Sequence, residues 1–396
     1  MSRFSFVEWE AAKLPKDALG ETEALFLDKE HRSYFDVKGP SFLNGHVWDI
    51  CPKGIAGVIP LGPETVFHIQ PKAPLSNLFG MMEVAYGFQG KFLQGLTSLG
   101  AMEDMYSRLA GLLAAKSLER SRKGLFRDYL SRRDDLAAVR GRIDFGRLSS
   151  HPAGVSLPCR FEEHTADVTE NRLVAWTLGL LMGHFLSSGD EELKPRLRKA
   201  FHAYSGRAEL VPCTGRDCLS VVYNRLNEDY RPLHALCRFF LENCGPSMRE
   251  GERKMLPFLV NMDLLFESFV AEWLKKNLPA GWRLSLQKKV NLSEDGWIQG
   301  QIDMVLYEGG TMRAVLDTKY KMADKPSSED FNQVVVYALS QEVTEAILIY
   351  PFLPKGQSST KTKNGITVRI LGFPLDGDLD EAGRALLRGL ELETLA

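Results

Sequence analysis

Asp303, Asp317 and Lys319 are the residues whose types and spacing could do chemistry together. They lie in one stretch, QGQIDMVLYEGGTMRAVLDTKYK, residues 299–321. Two apolar runs rich in β-branched residues flank Glu308-Gly309-Gly310, so the stretch reads as an antiparallel hairpin. Residues two apart on a strand share a face, so Asp317 and Lys319 project together from an otherwise apolar second strand. Asp303, on the first strand, joins that face only if the loop and any bulge make the register sum even. A strict two-residue loop would separate them. Two carboxylates beside a lysine suit a divalent-metal site that hydrolyses a phosphodiester. Hard carboxylate oxygens hold the cation, which polarises the phosphate and lowers the pKa of a bound water.

The elements that must position these residues belong to a chain of 396 residues, long enough for two or three domains with real cores. Hydrophobic content of 44% and charged content of 25% are ordinary for a globular protein. A net charge of -2 gives no overall attraction to nucleic acid, so any such contact must use local basic patches. No apolar run is long enough to span a membrane, and the N-terminus, MSRFSFVEWEAAKLPKD, lacks a secretory apolar region. With six scattered cysteines, a reduced cytoplasmic location is the expectation. Cys213 and Cys218, with Cys237 and Cys244 further on, lack the C-x2-C spacing of a zinc site. Cys237 and Cys244 share a helical stripe with Leu233, Leu236, Phe240 and Leu241, so they read as buried structural thiols.

The fold class expected is α+β and multidomain, with a β-rich region at 1–125, a helical middle at 126–250 and an α/β domain with a mixed sheet at 251–396. Short strands are expected at Val47–Cys51, Ala56–Leu61 and Val66–Gln70, punctuated by Gly and Pro. A helix capped by Ser76 carries Leu78, Met81, Met82 and Ala85. From Leu99 to Leu136 the pattern reads as helical, with Met102, Met105, Leu109, Leu112 and Leu113 on one face. Eight basic residues fall between Arg120 and Arg142, either a solvated charged face or a patch for DNA or a partner. Val139–Phe145 reads as a strand, with Asp144 structural. Residues 165–245 are largely helical, with a buried helix at Asn171–Phe185 and another opened by Asp229-Tyr-Arg-Pro232. His184, His202 and His234 have no mutual metal spacing. The polar link Gly245–Lys254 precedes the last domain.

That domain opens with a helix over Asn261–Lys276. Its apolar stripe holds Met262, Leu265, Phe266, Phe269, Val270 and Trp273, with Glu267 at the stripe's edge. A strand at Arg283–Val290, the hairpin, a helix at Ser328–Ser340, strands at Ala346–Phe352 and Ile366–Phe373, and a helix at Leu379–Leu392 complete it. This order gives a mixed sheet with helices packed on it. The polar loop Pro354–Gly365 could graze a phosphate backbone.

Helical Glu267, strand Asp303, strand Asp317-Thr318-Lys319 and helical Gln333 resemble the PD-(D/E)xK nuclease fold. The resemblance implies that Asp303, Asp317 and the Thr318 carbonyl hold Mg²⁺, with a further contact from Glu267. Lys319 would orient the attacking water and stabilise negative charge. Gln333 and Tyr337 match the Q-x3-Y element of RecB-like branches, where they help hold substrate and site geometry. D-x-K alone recurs by chance, and the combination carries the signal. Ile302 stands where the family pattern has Pro.

Further motifs run in order along the chain: IQPKAPLSNLFGMMEVAYG, GLFRDYLSRRDDLAAVRGRIDF, DVTENRLV, NEDYRPLHAL, NMDLLFESFV, LDTKYK and QVVVYAL. Together they are similar to the McrC family of McrBC-type modification-dependent restriction systems, over about residues 55–350. That resemblance implies a DNA endonuclease subunit whose partner is a McrB-like AAA+ GTPase ring that recognises modified double-stranded DNA. The N-terminal half would dock and stimulate the ring, the C-terminal domain would cut, and dimerisation would run through the nuclease domain. No G-x-x-x-x-G-K-[ST] is present, so the motor must lie elsewhere. The alternatives are a non-catalytic activator of an AAA+ NTPase and a stand-alone RecB-like exonuclease.

Overall fold

The computed structural model describes residues 2–61, 65–88, 102–150, 156–185, 192–244, 258–293, 295–321, 326–352 and 359–392. The expected link Gly245–Lys254 and the first part of the loop Pro354–Gly365 lie outside these residues. The architecture is mixed α+β, with four sheets among the described residues. Contacts group the chain into two compact units, one formed by Met1–Met105 with Asn243–Ala396 and one by Tyr106–Glu242.

The first unit begins with strands β1 (Ser2–Val7) and β2 (Ala12–Leu14), helix α1 (Glu21–Glu30) and strands β3 (Phe35–Lys38), β4 (Trp48–Pro52), β5 (Ile55–Pro60) and β6 (Thr65–Gln70). Helix α2 follows over Leu75–Tyr86. β1 pairs in parallel with β6, which pairs antiparallel with β5, while β2, β4 and β3 form a small sheet of their own. Phe6, Ile50, Ile59, Phe67 and Leu27 are buried in a common core. The three strands read from sequence are β4 to β6, whereas β1 to β3 and α1 were not anticipated. Ser76 does not cap α2: the helix starts at Leu75, behind Pro74, whose ring supplies no side-chain cap.

The second unit begins inside helix α3 (Met102–Arg122) and continues through β7 (Asp128–Leu136), β8 (Arg142–Ile143), α4 (Phe145–Ser150), β9 (Leu157–Thr165), α5 (Thr169–Phe185), α6 (Leu193–Ser205), α7 (Gly215–Leu219) and α8 (Arg231–Asn243). The single helix expected over Leu99–Leu136 is therefore corrected. It stops at Arg122, just before Gly124 at φ 92°, and the rest is a strand paired along its length with β9. On β7 Tyr129, Ser131, Arg133 and Asp135 are all exposed while Leu130, Arg132 and Leu136 on the other face are half-buried, an alternation that the charged residues mask in the sequence, and the pairing decides its structure. The strand expected at Val139–Phe145 shrinks to two residues, and Phe145 opens α4. Several of the basic residues are occupied locally: Arg120 faces Asp229 at 3.3 Å, and Arg132 and Arg140 both face Glu163, at 3.3 and 3.5 Å.

Two motifs interlock at the heart of this unit. Asn171 Nδ2 donates to the carbonyls of Phe126 and Ala166 at 2.8 and 2.6 Å, and Tyr230 Oη donates to Asn171 Oδ1 at 2.6 Å. The Phe126 amide donates to Tyr230 Oη at 3.0 Å. Every buried polar atom of this knot is used, which ties the start of α5 to the start of α8. His234 is buried between Tyr223 Oη and the Glu170 carbonyl, and burial lowers its pKa to about 4, so it stays neutral. Asp144 pairs with Arg160, a structural role as its position suggests. All six cysteines are free thiols.

The chain re-enters the first unit through β10 (Phe258–Asn261), helix α9 (Met262–Asn277), β11 (Trp282–Asn291), β12 (Gln299–Glu308), β13 (Thr311–Thr318), α10 (Ser328–Ser340), β14 (Glu345–Tyr350), β15 (Ser359–Lys361), β16 (Thr367–Gly372) and α11 (Leu379–Gly389). β10 adds to β5, extending the N-terminal sheet to the order β1-β6-β5-β10. Its last residue, Asn261, caps α9 by accepting from the Leu264 amide at 3.0 Å. The other strands form a mixed sheet in the order β11-β12-β13-β14-β16-β15, with β13, β14 and β16 parallel. Ala314 to Thr318 are buried at every position, so both faces of β13 are covered. α9 and α10 both contact that strand. Trp273 of α9 packs edge-on against Phe373 and donates to Asp380 at 3.2 Å, and a Cβ on Gly383 of α11 would lie 2.1 Å from its ring. Only glycine allows that approach.

Candidate active site

The register of the hairpin decides the site. Gly309 and Gly310 form a two-residue turn, both at positive φ, between the paired residues Glu308 and Thr311. That turn alone would put Asp303 and Asp317 on opposite faces. Between Tyr307↔Met312 and Leu306↔Ala314 the register shifts, leaving Arg313 as the extra residue of a bulge. Beyond it the pairing continues through Met304↔Leu316, which sets Asp303 opposite Asp317. Thus the two carboxylates share a face after all.

Asp317 is only 1% exposed, and Lys319 Nζ lies 2.7 Å from its Oδ2. Lys319 Nζ also donates to Gln333 Oε1 at 2.9 Å, and Gln333 Nε2 donates to Tyr337 Oη at 3.2 Å. Gln333 and Tyr337 lie one turn apart on α10, and that helix is started by Ser327, whose side chain accepts from the Asp330 amide. Gly300, on β12, lets Tyr337 sit close, since a Cβ there would lie 2.8 Å from the ring. Thr318 ends β13, and its amide donates to Asp303. Glu267 comes in from α9, where its carboxylate accepts from Gln287 Nε2 on β11. The structure therefore gathers all the residues singled out from sequence: Asp303, Asp317, Thr318 and Lys319 on the hairpin, Glu267 from one helix, and Gln333 and Tyr337 from the other.

The electrostatics follow from crowding like charges in a poorly hydrated place. Burial pushes the Asp303 carboxyl well above its ordinary range, and the neighbouring Asp317 and Glu267 push it further. Asp317 is raised for the same first reason, with Lys319 opposing but not cancelling it. Burial also raises Glu267, although the Gln287 amide pulls it back down. For Lys319 burial favours the neutral amine, yet the Asp317 carboxylate outweighs it and holds the ammonium above its ordinary pKa.

A divalent cation fits this donor set. Asp317 is buried with the Lys319 ammonium 2.7 Å from Oδ2 and no hydrogen-bond partner on Oδ1 among the described residues, and Asp303 adjoins, its pKa raised by burial and then by the neighbouring Asp317 and Glu267. A cation would remove both penalties. No three Asp, Glu, His or Cys side chains converge to metal-ligand spacing among the described residues, and Glu267 is held by Gln287.

Three groups around the site were missed in the sequence. Asp330 accepts from Lys321 Nζ at 2.7 Å and from Tyr350 Oη at 3.2 Å, tying the first turn of α10 to the segment after Lys319. The Ser327-x-x-Asp330 spacing was its available signal. Tyr320 Oη donates to Glu8 Oε1 at 2.6 Å, a link that no local pattern announces. Gln287 has no motif at all.

Comparisons with known proteins show the family and a likeness of fold. The family described as the McrBC 5-methylcytosine restriction system component matches residues 50–351, a span that contains every site residue singled out from the sequence. The chain belongs to that family and is of the McrC type. It is 23% identical over 217 residues to the type IV methyl-directed restriction enzyme EcoKMcrBC of Escherichia coli K12, covering 53% of this chain and 61% of that relative, less than two thirds of its length. Its fold is similar to that of a chain in the refined half-complex from the tetradecameric assembly of Thermococcus gammatolerans McrB AAA+ hexamers with bound McrC. The TM-score is 0.57 and the identity 16%, over 98% of this chain and 99% of that one.

Proposed function

We propose that this protein is the DNA-cutting subunit of a McrBC-type restriction system, a Mg²⁺-dependent endonuclease whose C-terminal domain is of the PD-(D/E)xK type. The observation that carries the reading is the unbroken chain from the buried Asp317 through Lys319 and Gln333 to Tyr337, facing Asp303 across the hairpin. A structural ion pair would need neither the second, half-buried carboxyl nor the bulge that brings it round.

In this reading Asp303, Asp317 and the Thr318 carbonyl hold the cation, and Glu267 contributes from α9. The bound cation supplies Lewis acidity to the phosphate and to the attacking water. Lys319, kept protonated by Asp317, meets the negative charge that grows on the phosphate and orients the water. Gln333 limits the positions open to the Lys319 ammonium, and Tyr337 fixes Gln333 in turn. The substrate is double-stranded DNA carrying a modification, recognised by a McrB-like AAA+ GTPase ring that the N-terminal half docks and stimulates. The cytoplasm is the setting. Among the described residues no helix is long and apolar enough to cross a membrane.

The test is an Asp317→Ala variant assayed together with a McrB-like AAA+ partner. Cleavage of modified DNA is lost while partner-stimulated nucleotide hydrolysis stays. Unchanged cleavage would overturn the reading.

A further inference from the structure

Five described residues other than glycine have positive φ: Trp9, His46, Gln287, Glu342 and Glu391. Four of them sit in turns or bends. Gln287, at φ 51°, is the exception, because it lies inside strand β11. The ladder does not slip there: Leu286 pairs with Met304 and Lys288 with Ile302. Gln287 therefore stands across from Asp303, which stands across from Asp317, so three neighbouring strands place these residues in one row.

A left-handed backbone inside a strand is unfavourable for any residue with a Cβ, and glycine or asparagine would adopt it more readily. Such strain persists where the surroundings impose it, and it gathers at functional sites. Here the side chain has a definite use. The exposed carboxamide of Gln287 donates through Nε2 to Glu267 Oε1, on the helix above the row. Asp303 and Asp317 repel the Glu267 carboxylate, and the Gln287 donor offsets that repulsion.

We propose that Gln287 is a positioning residue that holds the Glu267 carboxylate near the Asp303–Asp317 pair, outside direct ligand spacing, from where it reaches a divalent cation through a water. This rests on the metal-site reading above and adds a residue to it. Gln287 does not hold the cation itself. It acts through Glu267, and the left-handed backbone is what aims its amide there.

Thermal unfolding of the full chain, titrated with MgCl₂ alone, provides the test. In Gln287→Gly the backbone strain is relieved, so the metal-free protein unfolds at the wild-type temperature or higher. Its half-saturating Mg²⁺ concentration nevertheless rises about tenfold, as when the hydrogen-bond partner of a metal ligand is lost. Gln287→Met keeps the length, lacks the donor, and shows the same rise. In a Glu267→Gln background Gln287→Met adds nothing, because the residue it positions is already gone. Wild-type Mg²⁺ dependence in both single variants overturns the proposal, as does a rise that persists undiminished in the Glu267→Gln background. If Mg²⁺ fails to stabilise the wild type at all, the cation site falls and this role falls with it.

Discussion

Asp303 and Asp317 face each other across β12 and β13 although the turn joining these strands has two residues, because Arg313 is extruded as a bulge. The side chain of Arg313 is not what matters. It pairs with Glu308 at 2.8 Å on the surface, an interaction worth about 0–1 kcal/mol.

Arg313→Ala is accordingly expected to keep cleavage and Mg²⁺ binding, with a stability change below about 1 kcal/mol. Deleting Arg313 restores the odd register and turns Asp317 and Lys319 away from Asp303. Cleavage and the Mg²⁺-dependent rise in unfolding temperature are then both lost. A deletion variant that still cuts would break the link between register and activity.

The buried carboxyls set a pH dependence. Burial raises Glu8 to about 7, despite hydrogen bonds to Oε1 from Tyr320 Oη and the Lys72 amide. A folded-state pKa above the unfolded one means that the folded protein prefers the protonated form. The resulting stabilisation is full below about pH 4.5 and is lost as pH rises through about 7. Asp303 acts with the same sign. The metal-free protein should lose stability between pH 5 and 8 by about 2–3 kcal/mol from Glu8 alone. Glu8→Gln keeps both Oε1 bonds and removes the ionisation, so urea melts of this variant should show a markedly flatter profile.

Lys319 answers to two neighbours, and its removal should be felt in two measurements. Lys319→Met is expected to cut cleavage about 100- to 1000-fold. It should also destabilise the metal-free protein by about 3–5 kcal/mol, because Asp317 is left buried without its counter-charge. A variant with normal stability would mean that the pair is not coupled in the way its 2.7 Å separation indicates.

Gly300 offers a test from the far end of the same chain of contacts. A methyl group there would lie 2.8 Å from Tyr337 Cε1 and 3.0 Å from Leu292 Cδ1. Gly300→Ala should displace Tyr337, cost about 1–3 kcal/mol of stability, and reduce cleavage as Gln333→Ala does. Retention of full activity by both variants would show that Lys319 needs no support from α10.

How much was readable in advance depended on how local each signal was. The bounds of α10, the Asn261 end of α9 and the two strands of the hairpin follow from apolar spacing, caps and the Gly-Gly turn within a dozen residues. Asp303, Asp317 and Lys319 stood out as charges on apolar strands, whereas Gln333 and Tyr337 were picked out only by their resemblance to the Q-x3-Y element of RecB-like nucleases. The register was not readable: the turn pointed to one parity and the bulge at Arg313, which no residue type marks, restored the other. β7 defeated pattern reading because one face is wholly solvated, the other is only half-buried amid charged residues, and its pairing with β9 holds it. Gln287 and the Glu8–Tyr320 bond were hidden for a different reason. One depends on a backbone angle and the other joins residues 312 positions apart.

The placement of β10 beside β5 has a consequence for synthesis. β5, with the sequence IAGVIP, is buried at nearly every position, and its outer edge is completed only by residues 258–261. Gly57 meets that strand so closely that a Cβ would lie 2.1 Å from the Phe258 carbonyl oxygen. While the ribosome makes residues 106–242, the N-terminal strands wait with an apolar, unpaired edge, a surface that invites association with other chains. β5 is thus made long before the strand that completes it, and its need for protection during translation ends when β10 emerges.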